Sequence, residues 1–186
     1  MIDPFIIGLF HEEEVKPLTL NTTDEIISRA DKLVKQAGSR NPEQIARELG
    51  IIIKNVPFKS QKGVYKIIER NRFIFIKEDL DERMRRIVLL HEIGHDRLHR
   101  KQAQQFQEFQ LFDMTSNTME FEANLFAAQI ALPDDEILEY IYRGYSVGQI
   151  AGEMESDINL VAIKVSDLSR RGYSFRVPEH KNNFLK

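Results

Sequence analysis

Between Met84 and Leu98 the apolar and histidine positions recur at intervals of three and four: Met84, Ile87, Val88, His91, His95 and Leu98. That period traces one face of an α-helix, and a chain that forms such a helix must pack the face against other elements. Inside the stretch lies His91-Glu92-Ile93-Gly94-His95. Residues four apart on a helix sit about 40° apart around the axis, so both imidazoles leave from one side and can grip a single ion. Glu92 lies one step round from His91, where a carboxylate can take a proton from water acidified by such an ion. The pattern predicts His91 and His95 as metal ligands and Glu92 as the general base.

Two imidazoles leave a catalytic zinc site one protein ligand short. The chain has no cysteine, so the third donor must be His, Asp or Glu; this donor set favours Zn2+. The stretch from about Ser116 to Ala131 reads as the next long helix and offers Glu120 and Glu122. Glu120 is the preferred ligand, because Asn124 lies four residues on and can orient a ligand histidine from behind. Glu122, rotated about 200° from Glu120 on a helix, is the alternative ligand. His99 lies about 6 Å further along the helix axis than His95, which suits a supporting hydrogen bond or packing better than ligation. Gly94 costs about 1 kcal/mol relative to Ala in a helix interior, so it predicts close approach of another backbone or of substrate. His11 and His180 stand alone in polar surroundings and are given no function.

The rest of the chain reads as elements around this pair of helices. Thr22 or Thr23 caps a helix whose apolar positions run from Ile26 to Val34 and which ends near Gly38. Asn41 and Pro42 open a second one that stops at Gly50. Ile51 to Ile53, Val64 to Ile68 and Phe73 to Ile76 then read as about three strands. After Pro133, short helices are expected at Asp134 to Tyr142 and Ser146 to Met154, followed by Leu160 to Arg171. Helices and strands segregated along the chain predict an α+β fold. Its expected parts are an N-terminal arm and helix (1–40), a metallopeptidase domain (41–145) and a C-terminal helical segment (146–186).

Ser146 to Tyr173 has the outline of a helix-turn-helix, and its later half is locally basic through Lys164, Arg170 and Arg171. Glu153, Glu155 and Asp157 in the turn face phosphates badly, and the net charge of -3 gives no general pull toward nucleic acid, which argues against DNA contact. The Gln102 to Gln110 stretch, with phenylalanines interleaved, reads as an amphipathic helix or covering loop. No apolar run approaches the ~20 residues a membrane span needs, and the start lacks the pattern of a secretory signal. A cytoplasmic protein is expected.

Two runs together are similar to the ImmA/IrrE family of bacterial metallopeptidases. One is Arg85 to His95 with Leu98-His99 behind it; the other is Glu120-Phe121-Glu122-Ala123-Asn124-Leu125-Phe126-Ala127-Ala128 closing with Leu132-Pro133. The segment from Ile45 to Ile51 fits as well, so the resemblance covers about Asn41 to Pro133. It implies a zincin-like core with Glu120 as third ligand. It also implies a substrate, a helix-turn-helix repressor of a prophage, mobile element or stress regulon whose cleavage relieves repression, and it leaves room for an activating protein. The competing reading is a non-proteolytic regulator with a structural metal that binds a repressor or DNA. Glu92 separates the two, because a purely structural zinc has no use for a base beside its ligand.

Overall fold

A computed structural model describes residues 21–101 and 115–175. Thr22 caps α1 (Thr23–Ala37) through a reciprocal capping box with Glu25, and Gly38 ends it in the left-handed conformation. Asn41 accepts from the Gln44 backbone and Pro42 opens α2 (Pro42–Glu48). Three strands follow, β1 (Ile51–Val56), β2 (Gly63–Ile68) and β3 (Asn71–Lys77). They form a mixed sheet of order β1-β3-β2, with β1 parallel and β2 antiparallel to the central β3. Ile51, Tyr65, Ile74 and Ile76 turn one face of that sheet into the core.

Asp81 then caps α3 (Glu82–Leu98) by accepting from the Met84 backbone. α4 (Thr115–Ala131) is the central helix. Its Ala123, Leu125, Phe126, Ala127, Ala128 and Ile130 are all buried, as expected of a helix apolar on nearly every side. α3, α1 and the last helix all pack on it. After Pro133 come α5 (Asp134–Tyr142), α6 (Val147–Glu153), capped by a Ser146–Gln149 box, and α7 (Ile158–Arg170), capped by Asp157. Seven helices and a three-stranded sheet among the described residues make the fold α+β.

Gly94 sets how closely α3 and α4 cross. A Cβ there would stand 3.1 Å from the Ala123 Cα and from its carbonyl oxygen, so the approach anticipated at this glycine is that of the α4 backbone. Residues of α1, α2, the sheet, α3 and α4 to α7 share one hydrophobic core. A buried polar network ties the C-terminal helix into it. Lys164 of α7 is fully buried and bonds Gln129 and Asp134, while Gln129 also bonds Asp31 of α1 at 2.8 Å. Arg171 pairs with Asp134 and Asp167, and Arg170 with Asp24 and Asp167. Three of the cations that make this segment basic in sequence are therefore paired with carboxylates inside the molecule. The N-terminal arm, the Gln-rich stretch and the C-terminal tail, and with them His11 and His180, lie outside the described residues.

Candidate metal centre

The helical face anticipated for α3 carries His91 and His95 side by side, and the α3–α4 crossing brings Glu120 over them. His91 Nε2 lies 3.1 Å from Glu120 Oε2, and His95 Nε2 lies 3.2 Å from Glu120 Oε1. The two Nε2 atoms are 3.0 Å apart. Ligands about 2.0–2.1 Å from a tetrahedral zinc stand about 3.3 Å from one another. The two histidines meet different oxygens of Glu120, and one ligand atom from each of the three residues lies within 4.8 Å of the others, close enough to share one ion. Among the described residues this is the group of His, Asp and Glu side chains that could hold a metal.

Asn124, one turn after Glu120, places its Oδ1 2.8 Å from His91 Nδ1. A carbonyl oxygen only accepts, so His91 donates from Nδ1, and Nε2 is the nitrogen turned toward the donor group, the one that would give up its proton to a metal. Glu122 leaves α4 on the other side. Its carboxylate is buried, 3.0 Å from His99 Nε2 and 2.7 Å from Asn21 Nδ2, away from His91 and His95. His99 in turn lies 3.1 Å from His95 through the two Nδ1 atoms.

The electrostatics follow from these contacts. Hydrogen bonds from His91 and His95 hold Glu120 far below the usual carboxylate range. Burial pulls His91 down, but its bond to Glu120 and the neighbouring carboxylates outweigh that and raise it. Burial raises Glu92, partly offset by the charges of His95 and His91. A raised carboxylate in a cleft beside a cation-binding group is poised for proton transfer.

A family model, Peptidase_M78: IrrE N-terminal-like domain, matches residues 46–166. The chain belongs to the Peptidase_M78 family. It is thereby a metallopeptidase-type protein. A Bacillus phage phi105 protein named "Uncharacterized immunity region protein 2" is 31% identical over 130 residues, covering 68% of this chain and 80% of the phage protein. The Peptidase_M78 match runs through α6 and into α7.

α7 has a physical reason to belong with this Peptidase_M78 site. A cleft of about 780 Å³ holds His91, Glu92, His95 and Glu120 at its floor. Ser60 to Tyr65 form one wall; Asp157, Asn159, Leu160 and Ile163, from the start of α7, also line it. Away from the cleft, Tyr140 and Tyr145 pack on each other and on Arg143.

Gly63, just before the expected Val64 to Ile68 strand, carried no functional signal in the sequence. In the fold it opens β2 directly above Glu92, where a Cβ would meet Glu92 Oε1 at 2.9 Å and Val88 Cγ1 at 2.5 Å. Tyr65, two residues on, bonds the Glu92 side through its backbone and sends its hydroxyl 2.7 Å to the buried Asp96 of α3. Asp96 also receives Arg72 and Arg100. This cluster pins β2 to α3 beside Glu92. The sequence shows only an aspartate following His95, which has meaning once the sheet is placed.

Proposed function

We propose that this Peptidase_M78 protein is a zinc-dependent endopeptidase that cuts a helix-turn-helix repressor of a prophage, mobile element or stress regulon in the cytoplasm, so relieving repression. The observation that carries the reading is the convergence of His91, His95 and Glu120 with the buried Glu92 carboxylate beside them in one cleft. The phage relative, named as an immunity region protein, supports the prophage setting.

His91, His95 and Glu120 are the proposed ligands. Bound there, a zinc ion would supply Lewis acidity, acidifying water near neutral pH and polarising a peptide carbonyl. Glu92 accepts the proton of the attacking water and returns it to the leaving amine. Its raised pKa suits the second half of that task, and the cation beside it suits the first. Asn124 fixes His91 with Nε2 toward the donor group, and Gly63 lets β2 pack directly against the base. Residues of β2 and of the start of α7 both line the cleft in which a peptide would lie.

Co-expression with the repressor encoded nearest to the gene tests the reading, with wild type and Glu92→Gln compared by gel and mass spectrometry. Shortening of the repressor by wild type alone supports it. A repressor left intact by both, with an activator-replete host extract added, moves the function to binding without cleavage.

A further inference from the structure

His99 and Glu122 are buried side chains that stand behind the donor group and not in it. Both are under 5% exposed. Burying a carboxylate is costly unless hydrogen bonds satisfy it, and Glu122 Oε2 receives two donors, Asn21 Nδ2 at 2.7 Å and His99 Nε2 at 3.0 Å. The valences of the atoms then dictate the rest. A carboxylate only accepts, so His99 carries its proton on Nε2. A neutral imidazole has one N–H, which leaves His99 Nδ1 as an acceptor. That atom lies 3.1 Å from His95 Nδ1, so His95 donates from Nδ1. Nε2 is therefore the nitrogen of His95 left to bind a metal, and it is the atom that faces His91 Nε2 and Glu120.

The geometry points to Glu122 as a positioning carboxylate that acts through His99, with Asn21 holding it, to fix the tautomer and ring orientation of His95 for metal binding. This rests on the reading of His95 as a metal ligand. The two histidines are thus oriented differently. His91 is set in one step by the neutral Asn124 amide, and His95 in two steps by a charged group. The second chain spans three elements: Asn21 precedes the α1 cap, Glu122 is on α4, and His99 closes α3. A metal ligand whose outer hydrogen bond ends on a carboxylate is more basic and more rigidly held than one facing water.

The test uses the full-length protein as wild type, Glu122→Ala, Glu122→Gln and Asn21→Ala. Zinc affinity is read by competition with a chromophoric chelator, and histidine tautomers by proton–nitrogen NMR with and without zinc. Glu122→Ala is expected to weaken zinc binding about 10–100-fold. Glu122→Gln should recover most of that loss, since its amide oxygen still accepts from His99. Asn21→Ala should fall between the wild type and Glu122→Ala. In the wild type His99 is expected as the Nε2–H tautomer whether or not zinc is bound.

A folded Glu122→Ala with wild-type zinc affinity, changed only in thermal stability, would reduce the residue to packing and overturn the proposal. So would a wild-type His99 protonated on Nδ1, a result that does not depend on any variant folding. A wild type that shows the expected tautomer but binds no divalent ion supports the hydrogen-bonded chain and overturns the metal reading instead.

Discussion

A Cβ atom on Gly63 would stand 2.9 Å from the Glu92 carboxylate oxygen Oε1. The first residue of the edge strand and the proposed base are thus packed with no room for a methyl group between them. Gly63→Ala is expected to push Glu92 or β2 aside, at about 1–3 kcal/mol of stability, the range for overpacking. Activity should drop more than tenfold while metal content stays at the wild-type level. Unchanged turnover in a folded Gly63→Ala protein would show that the close packing of β2 on Glu92 does not position the base.

Asn124 and Glu120 share one face of α4, and removing the amide should be felt at the metal. Asn124→Ala is expected to weaken zinc binding about 10–100-fold, the usual effect of losing the partner behind a ligand histidine. Asn124→Asp keeps an acceptor for His91 Nδ1–H and should lose much less. Equal losses in the two variants, measured by chelator competition, would contradict the tautomer assignment for His91.

The pH dependence has a definite sign. In the metal-free protein His91 titrates above its ordinary 6.5 and Glu120 below its ordinary 4.5. A raised histidine contributes stability that is full below 6.5 and lost as pH rises through the folded value. A depressed carboxylate contributes stability present above 4.5 and lost as pH falls through its folded value. The pair therefore helps the metal-free chain most in the weakly acidic window between those two values. Zinc needs both imidazoles neutral, so its stabilisation grows as pH rises. The gap in Tm between zinc-loaded and metal-free protein should widen from about pH 5.5 to about pH 7.5 at constant zinc excess. A gap independent of pH would argue that the histidines are not the ligands.

Lys164 and Asp134 make a different kind of prediction, about the C-terminal helix. Asp134→Ala removes a carboxylate from a fully buried ammonium and should cost about 3–5 kcal/mol. Lys164→Met should cost less, because Asp134 is partly exposed and keeps Arg171 at 2.6 Å. Denaturant unfolding of the two variants checks the order; the reverse order would mean that Lys164 is not held charged in the core.

Most of the elements were legible in the sequence because their signals are local. Asp81 before the α3 period, Asn41-Pro42 before α2, the Ser146–Gln149 box and the β-branched runs each act within a few residues, and the observed boundaries fall on them or within two positions, except that β1 runs three residues past Ile53 to Val56. The α+β class followed from their order. What the sequence did not show depends on pairing between distant segments. The parallel β1–β3 pairing and the edge position of β2 are set by long-range register, and only they put Gly63 above Glu92. The basic look of residues 164 to 171 was counted as charge, whereas burial and pairing with Asp134, Asp167 and Asp24 decide what those charges do. The helix-turn-helix outline likewise gave no hint that the start of α7 lines the cleft. Glu120 and Glu122 lie two positions apart, and helical geometry alone sends them about 200° apart. Which of the two meets the histidines is set by the Gly94–Ala123 crossing.

The turnover of fully zinc-loaded Glu92→Gln tests the central claim most directly. The substitution keeps the shape of the side chain and removes its capacity to take a proton. With one zinc per chain and a wild-type unfolding profile, cleavage is expected to fall by about 10²–10⁴-fold, the contribution of a positioned acid–base group. Cleavage within a few-fold of wild type, with the same zinc content, would contradict the assignment of Glu92 as the base.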